Sequence, residues 1–233
     1  MSRPDRKNKI ILSSGVGGTG KTTFNLAYMY ETDRPFIAFD PEYEIFTKRP
    51  DYKYFENAGD LWTFLINNEL EVRQDNLKLI LQSEDEAGRD KLLEHIFNDL
   101  QNPRRFPELQ KALRCKESDL EFYIFLDEID KFFNNFSNHI MKEIIRTGRN
   151  RQISTIATLK RPADISKMLV SQVHIYVWFR NFLDNDLKML EAYCGKESAE
   201  IVRALPNYHY LEYNAITHQK QQRTLSADYL KYL

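Results

Sequence analysis

Residues 15–22 read Gly15-Val16-Gly17-Gly18-Thr19-Gly20-Lys21-Thr22, a complete G-x-x-x-x-G-K-[ST] run, and the segments on either side suit it. Upstream, Lys9-Ile10-Ile11-Leu12-Ser13-Ser14 is a short apolar stretch that predicts a buried strand. Downstream, Thr22-Thr23-Phe24-Asn25-Leu26-Ala27-Tyr28 predicts the opening of a helix. Glycines let the backbone turn so that several N–H groups surround one anion, and the helix N-terminus adds its positive end. Lys21 is expected to reach the β- and γ-phosphates of a nucleotide, and the Thr22 hydroxyl to hold Mg²⁺. Gly15, Val16, Gly17, Gly18, Thr19, Gly20, Lys21, Thr22 and Thr23 are therefore the candidate nucleotide-binding residues, with ATP and Mg²⁺ the expected cofactors.

A chain of 233 residues has room for one large α/β domain with a full core or two small ones. Hydrophobic residues make up 42% and charged residues 29%, the balance of an ordinary globular protein. The formal net charge is −1, so any contact with nucleic acid must come from a local patch and not from the overall field. Cys115 and Cys194 form no metal-binding spacing and suit a reducing compartment. Met1–Lys9 is polar and charged, unlike a secretory leader. No apolar run approaches the ~20 residues of a membrane span. A cytoplasmic location, in a host cell if the protein is viral, or association with a virion is expected.

Alternating apolar runs and helical patterns predict a mostly parallel sheet covered by helices, read as a single domain over residues 1–233. Strands are expected at 34–40, 77–82, 122–126, 153–158 and 173–179, besides the one before the glycine loop. Helices are expected over 55–70, with Leu61, Phe64, Leu65 and Leu70 inward, and over about 85–102, 130–147 and 183–193. Residues 103–118 are basic and proline-punctuated, a loop with a short helix, and 207–224 suggest a final hairpin.

Phe122-Tyr123-Ile124-Phe125-Leu126-Asp127-Glu128 is an apolar strand ending in two carboxylates. Asp127, at the strand's C-terminal edge, is expected to contact Mg²⁺, and Glu128 to polarise an attacking water. Monophosphate kinases need no such water base; ATP-hydrolysing motors do. An extra strand, assigned to 77–82, is expected between the loop's strand and the Asp-Glu strand. Val16–Thr23 also resembles the loop of partition ATPases, and Phe39-Asp40-Pro41 their second strand end. Their signature lysine would fall at position 16, which is Val16 here.

From Ile145 to Gly195 the order of features resembles the FtsK/HerA superfamily of DNA-pumping ATPases. Arg146-Thr147-Gly148-Arg149 resembles its R-x-G-R turn, and Lys160-Arg161-Pro162 stands where that family usually has Gln-Arg-Pro. Asp40-Pro41-Glu42-Tyr43-Glu44 resembles the segment after the second strand of HerA-type ATPases. The resemblance implies a RecA-like P-loop core of the type that carries a catalytic glutamate, with a C-terminal β-hairpin. It implies that Lys160 senses the γ-phosphate in place of the usual glutamine, as a point charge. It also implies a homo-oligomeric ring, a hexamer or pentamer, in which a neighbour inserts an arginine into the site. Arg149 is the first candidate, Arg146 the second and Arg180 the third. The segment Lys142–Lys167 holds seven basic residues against two acidic ones, which suits phosphate contact with ATP or DNA.

A minimal chain of this kind is similar to the genome-packaging ATPases of membrane-containing icosahedral viruses and phages. That resemblance implies double-stranded DNA as the cargo and capsid vertex or portal proteins as possible partners. Two other readings stay open: a partition-type ATPase switch, and a filamentous-phage assembly ATPase of the zonular-occludens-toxin type. A nucleotide-gated interaction protein with little turnover is a further, duller one. The histidines show no metal spacing, and His174 is expected to be a core or interface histidine.

Overall fold

The computed structural model describes residues 9–32, 34–41, 43, 52–100, 102, 106–114, 120–130, 139–164 and 167–227. The described elements are β1 (Ile10–Ser14), α1 (Lys21–Glu31), β2 (Phe36–Phe39), β3 (Lys53–Phe55), α2 (Ala58–Asn67), α3 (Glu69–Gln74) and β4 (Lys78–Leu81). Next come α4 (Glu86–His95), which runs on as a π-helical turn over Ile96–Leu100, then α5 (Phe106–Leu113), β5 (Phe122–Leu126), α6 (His139–Thr147) and β6 (Ile153–Leu159). The chain closes with α7 (Lys167–Val170), β7 (Ile175–Phe179), α8 (Asp184–Cys194), α9 (Lys196–Ala204), β8 (His209–Asn214) and β9 (Gln219–Thr224). The sheet is mostly parallel, flanked by helices, with antiparallel strands at its C-terminal end.

The described residues fall into two compact units. One takes Thr32–Leu126 with the part of the chain up to Thr155 that includes α6; the other takes Ile10–Glu31, Asp127 onwards, and Ile156–Leu233. In the first, strands lie in the order β3-β4-β2-β5 and every pair is parallel, with Phe36 opposite Lys78 on one side and Tyr123 on the other. β2 and β5 are buried at every position. Continuous burial is what a parallel strand covered on both faces requires, and it explains why these segments are uninterrupted apolar runs. Asn57 caps α2 by accepting from the Asp60 amide at 2.7 Å, and Asp85 caps α4 by accepting from Gly88 at 3.1 Å. Leu92, Leu93, Ile96, Phe97 and Leu100 are all buried, as their spacing predicts.

In the second unit the order is β6-β1-β7-β8-β9. β1 runs parallel to β7 with Ser14 opposite Trp178, and β7-β8-β9 are antiparallel. Phe24 of α1 meets Phe179 and Tyr210 edge-on, at 6.2 and 5.2 Å between centroids. This aromatic cluster fixes the start of α1 against the end of β7. His174 accepts from the Ile10 amide at 3.1 Å through Nδ1, a structural role of the kind expected.

Several expectations shift. The helix over 55–70 is two helices, because the Asn68 side chain and amide both bond the Phe64 carbonyl, at 2.8 and 3.0 Å, and end α2 there. Leu70 is consequently 45% exposed and not inward. β3 and α9 were not foreseen: three residues are too few to show an alternation. The 77–82 segment, expected between the loop's strand and the Asp-Glu strand, is instead β4, paired with β2 on one side and β3 on the other. The Phe132, Phe133 and Phe136 stripe lies outside the described residues, as do Glu42, Glu44 and most of the flanks of α5. Among the described residues no helix is long and apolar enough to cross a membrane.

Candidate nucleotide site

The glycine loop links β1 to α1 as the flanking residues require. Its first glycine, Gly15, has φ +151°, and a Cβ there would lie 2.8 Å from the Phe179 Cβ and 3.1 Å from the Arg180 carbonyl oxygen. Gly20 has φ +112°, and its Cβ would lie 2.9 Å from the Tyr208 ring and 3.1 Å from Leu225. Both positions need glycine for conformation and for space. The loop is pinned from outside: Val16 donates to the Arg180 carbonyl at 3.1 Å, and Tyr208 donates to the Thr19 carbonyl at 2.9 Å. Sequence reading did not find this support from Phe179, Arg180, Tyr208 and Leu225, since it comes from residues about 160 or more positions away that carry no motif.

Inside the loop the Val16 carbonyl collects two donors, Thr19 Oγ1 at 2.7 Å and Lys21 Nζ at 3.0 Å. Gly17 and Gly18 face solvent, Lys21 is 9% exposed, and Thr22 and Thr23 open α1. The first turn of α1 holds no acidic residue, so nothing there repels an anion. The donor set fits a polyphosphate: an ammonium held over the loop, exposed glycine amides and a helix N-terminus.

Asp127 and Glu128 follow β5 directly and belong to the same unit as the loop. Asp127 is 2% exposed and Glu128 8%. Glu128 adopts φ +54°, a left-handed conformation that costs a non-glycine residue roughly 1–2 kcal/mol. Thr158 holds it there. Its hydroxyl accepts from the Glu128 amide and donates to Asp127 Oδ1, both at 2.7 Å, while its carbonyl accepts from the Ile129 amide at 2.9 Å. Two residues on, Lys160 Nζ forms an ion pair with Glu128 Oε1. Thr158 was missed at the level of sequence; its signal was a hydroxyl two residues before Lys160, near the end of the strand.

The three arginine candidates lie on different segments of the chain. Arg180 joins the loop of its own chain through its carbonyl, and its Nε is buried without a hydrogen-bond partner among the described residues. Arg146 projects from α6, exposed, 3.5 Å from Glu143 one turn back. Arg149 lies in the single 3₁₀ turn Gly148–Arg151 that follows. Both belong to the unit that does not carry the loop. Within the basic segment Arg151 is spoken for, its guanidinium 5.2 Å from the Phe97 ring centre. Asp40, at the end of β2, is fully buried and accepts from Gln82 Nε2 at 2.9 Å. No group of three or more potential metal-binding side chains occurs among the described residues.

No protein-family model matches this chain, and no curated protein sequence does. Solved structures do. The genome-packaging NTPase B204 of Sulfolobus turreted icosahedral virus 2, solved in complex with AMPPCP, aligns over 93% of this chain and 97% of its own, with TM-score 0.64 and 16% identity. ATPases 2 and 3 of EssC from Geobacillus thermodenitrificans align over 90% of this chain and 38% of theirs, with TM-score 0.52 and 14% identity. EccC from Thermomonospora curvata, in complex with a signal sequence peptide, aligns over 94% and 37%, with TM-score 0.54 and 9% identity. At these identities the likeness is one of fold, and it covers nearly the whole chain. The fold of this chain is that of the P-loop ATPases, and among solved structures it resembles a viral genome-packaging NTPase and the ATPases 2 and 3 of EssC and EccC.

Proposed function

We propose that this protein hydrolyses ATP to move double-stranded DNA, as a genome-packaging motor that fills a preformed capsid. The observation that carries the hydrolytic part is the pair of buried carboxylates after β5, with Glu128 held in a left-handed conformation beside Asp127. Its costly conformation, held by the bond from its amide to the Thr158 hydroxyl, supports a functional role for this position. The packaging part is supported by the fold likeness to B204, which extends over 97% of that chain.

In this reading the phosphates lie on residues 15–22, with Lys21 leaving the Val16 carbonyl to meet them. Thr22 and Asp127 would hold Mg²⁺, which neutralises charge on the phosphates when bound. Glu128 orients the attacking water and accepts its proton. Lys160 moves from Glu128 to the γ-phosphate, which frees the carboxylate for that work. A neighbouring subunit in the ring supplies Arg149, or Arg146, to stabilise charge on the transferring group. Arg180, tied to its own chain's loop, is better placed to support that loop than to act across an interface.

Triplex displacement tests the translocase. The full chain, given ATP and a long duplex bearing a third strand, should release that strand, and Lys21→Ala should not. ATP turnover without displacement at any protein concentration would favour a nucleotide switch.

A further inference from the structure

We infer that Thr158 is the positioning residue that aligns both carboxylates of the site, an assignment that rests on the ATPase reading above. The argument starts from proton count. A threonine hydroxyl has one proton and two lone pairs. At Thr158 one lone pair receives the Glu128 amide proton at 2.7 Å. The hydroxyl proton therefore points at Asp127 Oδ1, also at 2.7 Å. The direction of this chain, amide to hydroxyl to carboxylate, is fixed.

Two consequences follow for the site. The bond to Oδ1 sets the rotation of the Asp127 carboxylate, and so the direction in which it meets a cation. The bond from the Glu128 amide, together with the Ile129 amide on the Thr158 carbonyl at 2.9 Å, holds Glu128 at φ +54°. That backbone setting decides where the Glu128 carboxylate points. Thr158 is 2% exposed and lies in β6, where its branched Cβ restricts χ1. It acts through Asp127 and Glu128, the two residues its hydroxyl touches. Lys160, just past the end of β6, grips the Glu128 side chain, so Thr158 holds the backbone of Glu128 and Lys160 its carboxylate.

Thr158→Val keeps shape and removes the hydroxyl, Thr158→Ser keeps the hydroxyl, and Thr158→Ala admits a water should the valine variant fail to fold. For the full chain, turnover, affinity for a fluorescent ATP analogue and the Mg²⁺ concentration giving half-maximal turnover are measured on each. The expected result for Val (or Ala) is a fall in kcat of ~10–100-fold, the range for residues that orient ligands of a metal, with a rise of several-fold in the Mg²⁺ requirement. Nucleotide affinity should stay within about threefold, and Ser should restore most of the turnover. Three results overturn the assignment: wild-type kcat in the valine or alanine variant, Ser as slow as Val, or a loss of nucleotide affinity as large as the loss of turnover. A wild-type chain that binds the analogue but never hydrolyses ATP would instead bring down the ATPase reading, and this assignment with it.

Discussion

The ammonium of Lys160 sits on the carboxylate of Glu128, so the residue expected to sense the γ-phosphate and the residue expected to orient water engage each other. The Lys160 side chain is 59% exposed and that of Glu128 10%. A lysine this exposed contributes little to stability through its pair, on the order of 0–1 kcal/mol, and can leave at small cost. A γ-phosphate, with more charge than one carboxylate, is a competitor able to draw it away.

Replacing Lys160 therefore should alter turnover and not folding. Lys160→Ala is expected to lower kcat at least ~10-fold, while Tm moves by no more than about 3 °C. Lys160→Gln, which installs the amide usual in the resembled superfamily, should retain more activity than the alanine. Equal activity in all three proteins would remove Lys160 from the γ-phosphate contact.

Glu128→Gln should bind ATP with wild-type affinity and hydrolyse it at least ~100-fold more slowly, through loss of the proton acceptor. The variant is expected to trap ATP, measurable as unhydrolysed nucleotide retained after gel filtration. Turnover near the wild-type rate would assign the water to another group.

Gly20→Ala tests the support behind the loop. The added methyl meets the Tyr208 ring at 2.9 Å and Leu225 at 3.1 Å, at φ +112°. Overpacking of this kind costs about 1–3 kcal/mol, and Tm should fall by roughly 2–4 °C per kcal/mol for a chain of this size. Nucleotide affinity should fall with it, because the methyl displaces the loop itself. Gly17→Ala, where a Cβ meets nothing within 4 Å, serves as the control and should keep its Tm.

One buried carboxylate gives a pH signature away from the site. Burial pushes the Glu121 carboxyl above its ordinary 4.5, only partly offset by the Ser154 hydroxyl and the Arg34 charge. A carboxyl raised by folding favours the folded state fully below its unfolded value and loses that advantage as pH rises through the folded value. Glu121→Gln, neutral at every pH, should therefore gain Tm relative to wild type as pH increases from about 4.5 towards neutrality. A Tm difference that does not change with pH over that range would mean Glu121 ionises in the folded protein as readily as in the unfolded one.

The parts legible in the sequence are those in which local chemistry dictates local structure. Gly15–Thr22 reads as a phosphate loop because its glycines and lysine serve one local geometry, and it links β1 to α1 as that reading requires; Phe122–Leu126 must be a buried strand because nothing in it tolerates water. Asp127 and Glu128 were legible as a strand-end pair, and the structure brings them together with Lys160, which a resemblance had singled out. What was not legible depends on distant chain segments. Thr158 reads as an ordinary strand threonine until its hydroxyl is seen between the Glu128 amide and the Asp127 carboxylate. Tyr208 and Leu225 carry no motif, yet they leave Gly20 no room for a side chain. Leu70 read as inward because its period matches Leu61 and Leu65, and Asn68 breaks that period by ending the helix.

Steady-state ATP hydrolysis with and without long double-stranded DNA, with Lys21→Ala as the blank, tests the central claim most directly. The account predicts stimulation by duplex DNA and a specific activity that rises with protein concentration, because each site is completed by a neighbour's arginine. Hydrolysis by the wild-type chain that ignores DNA and stays proportional to protein concentration throughout would contradict it.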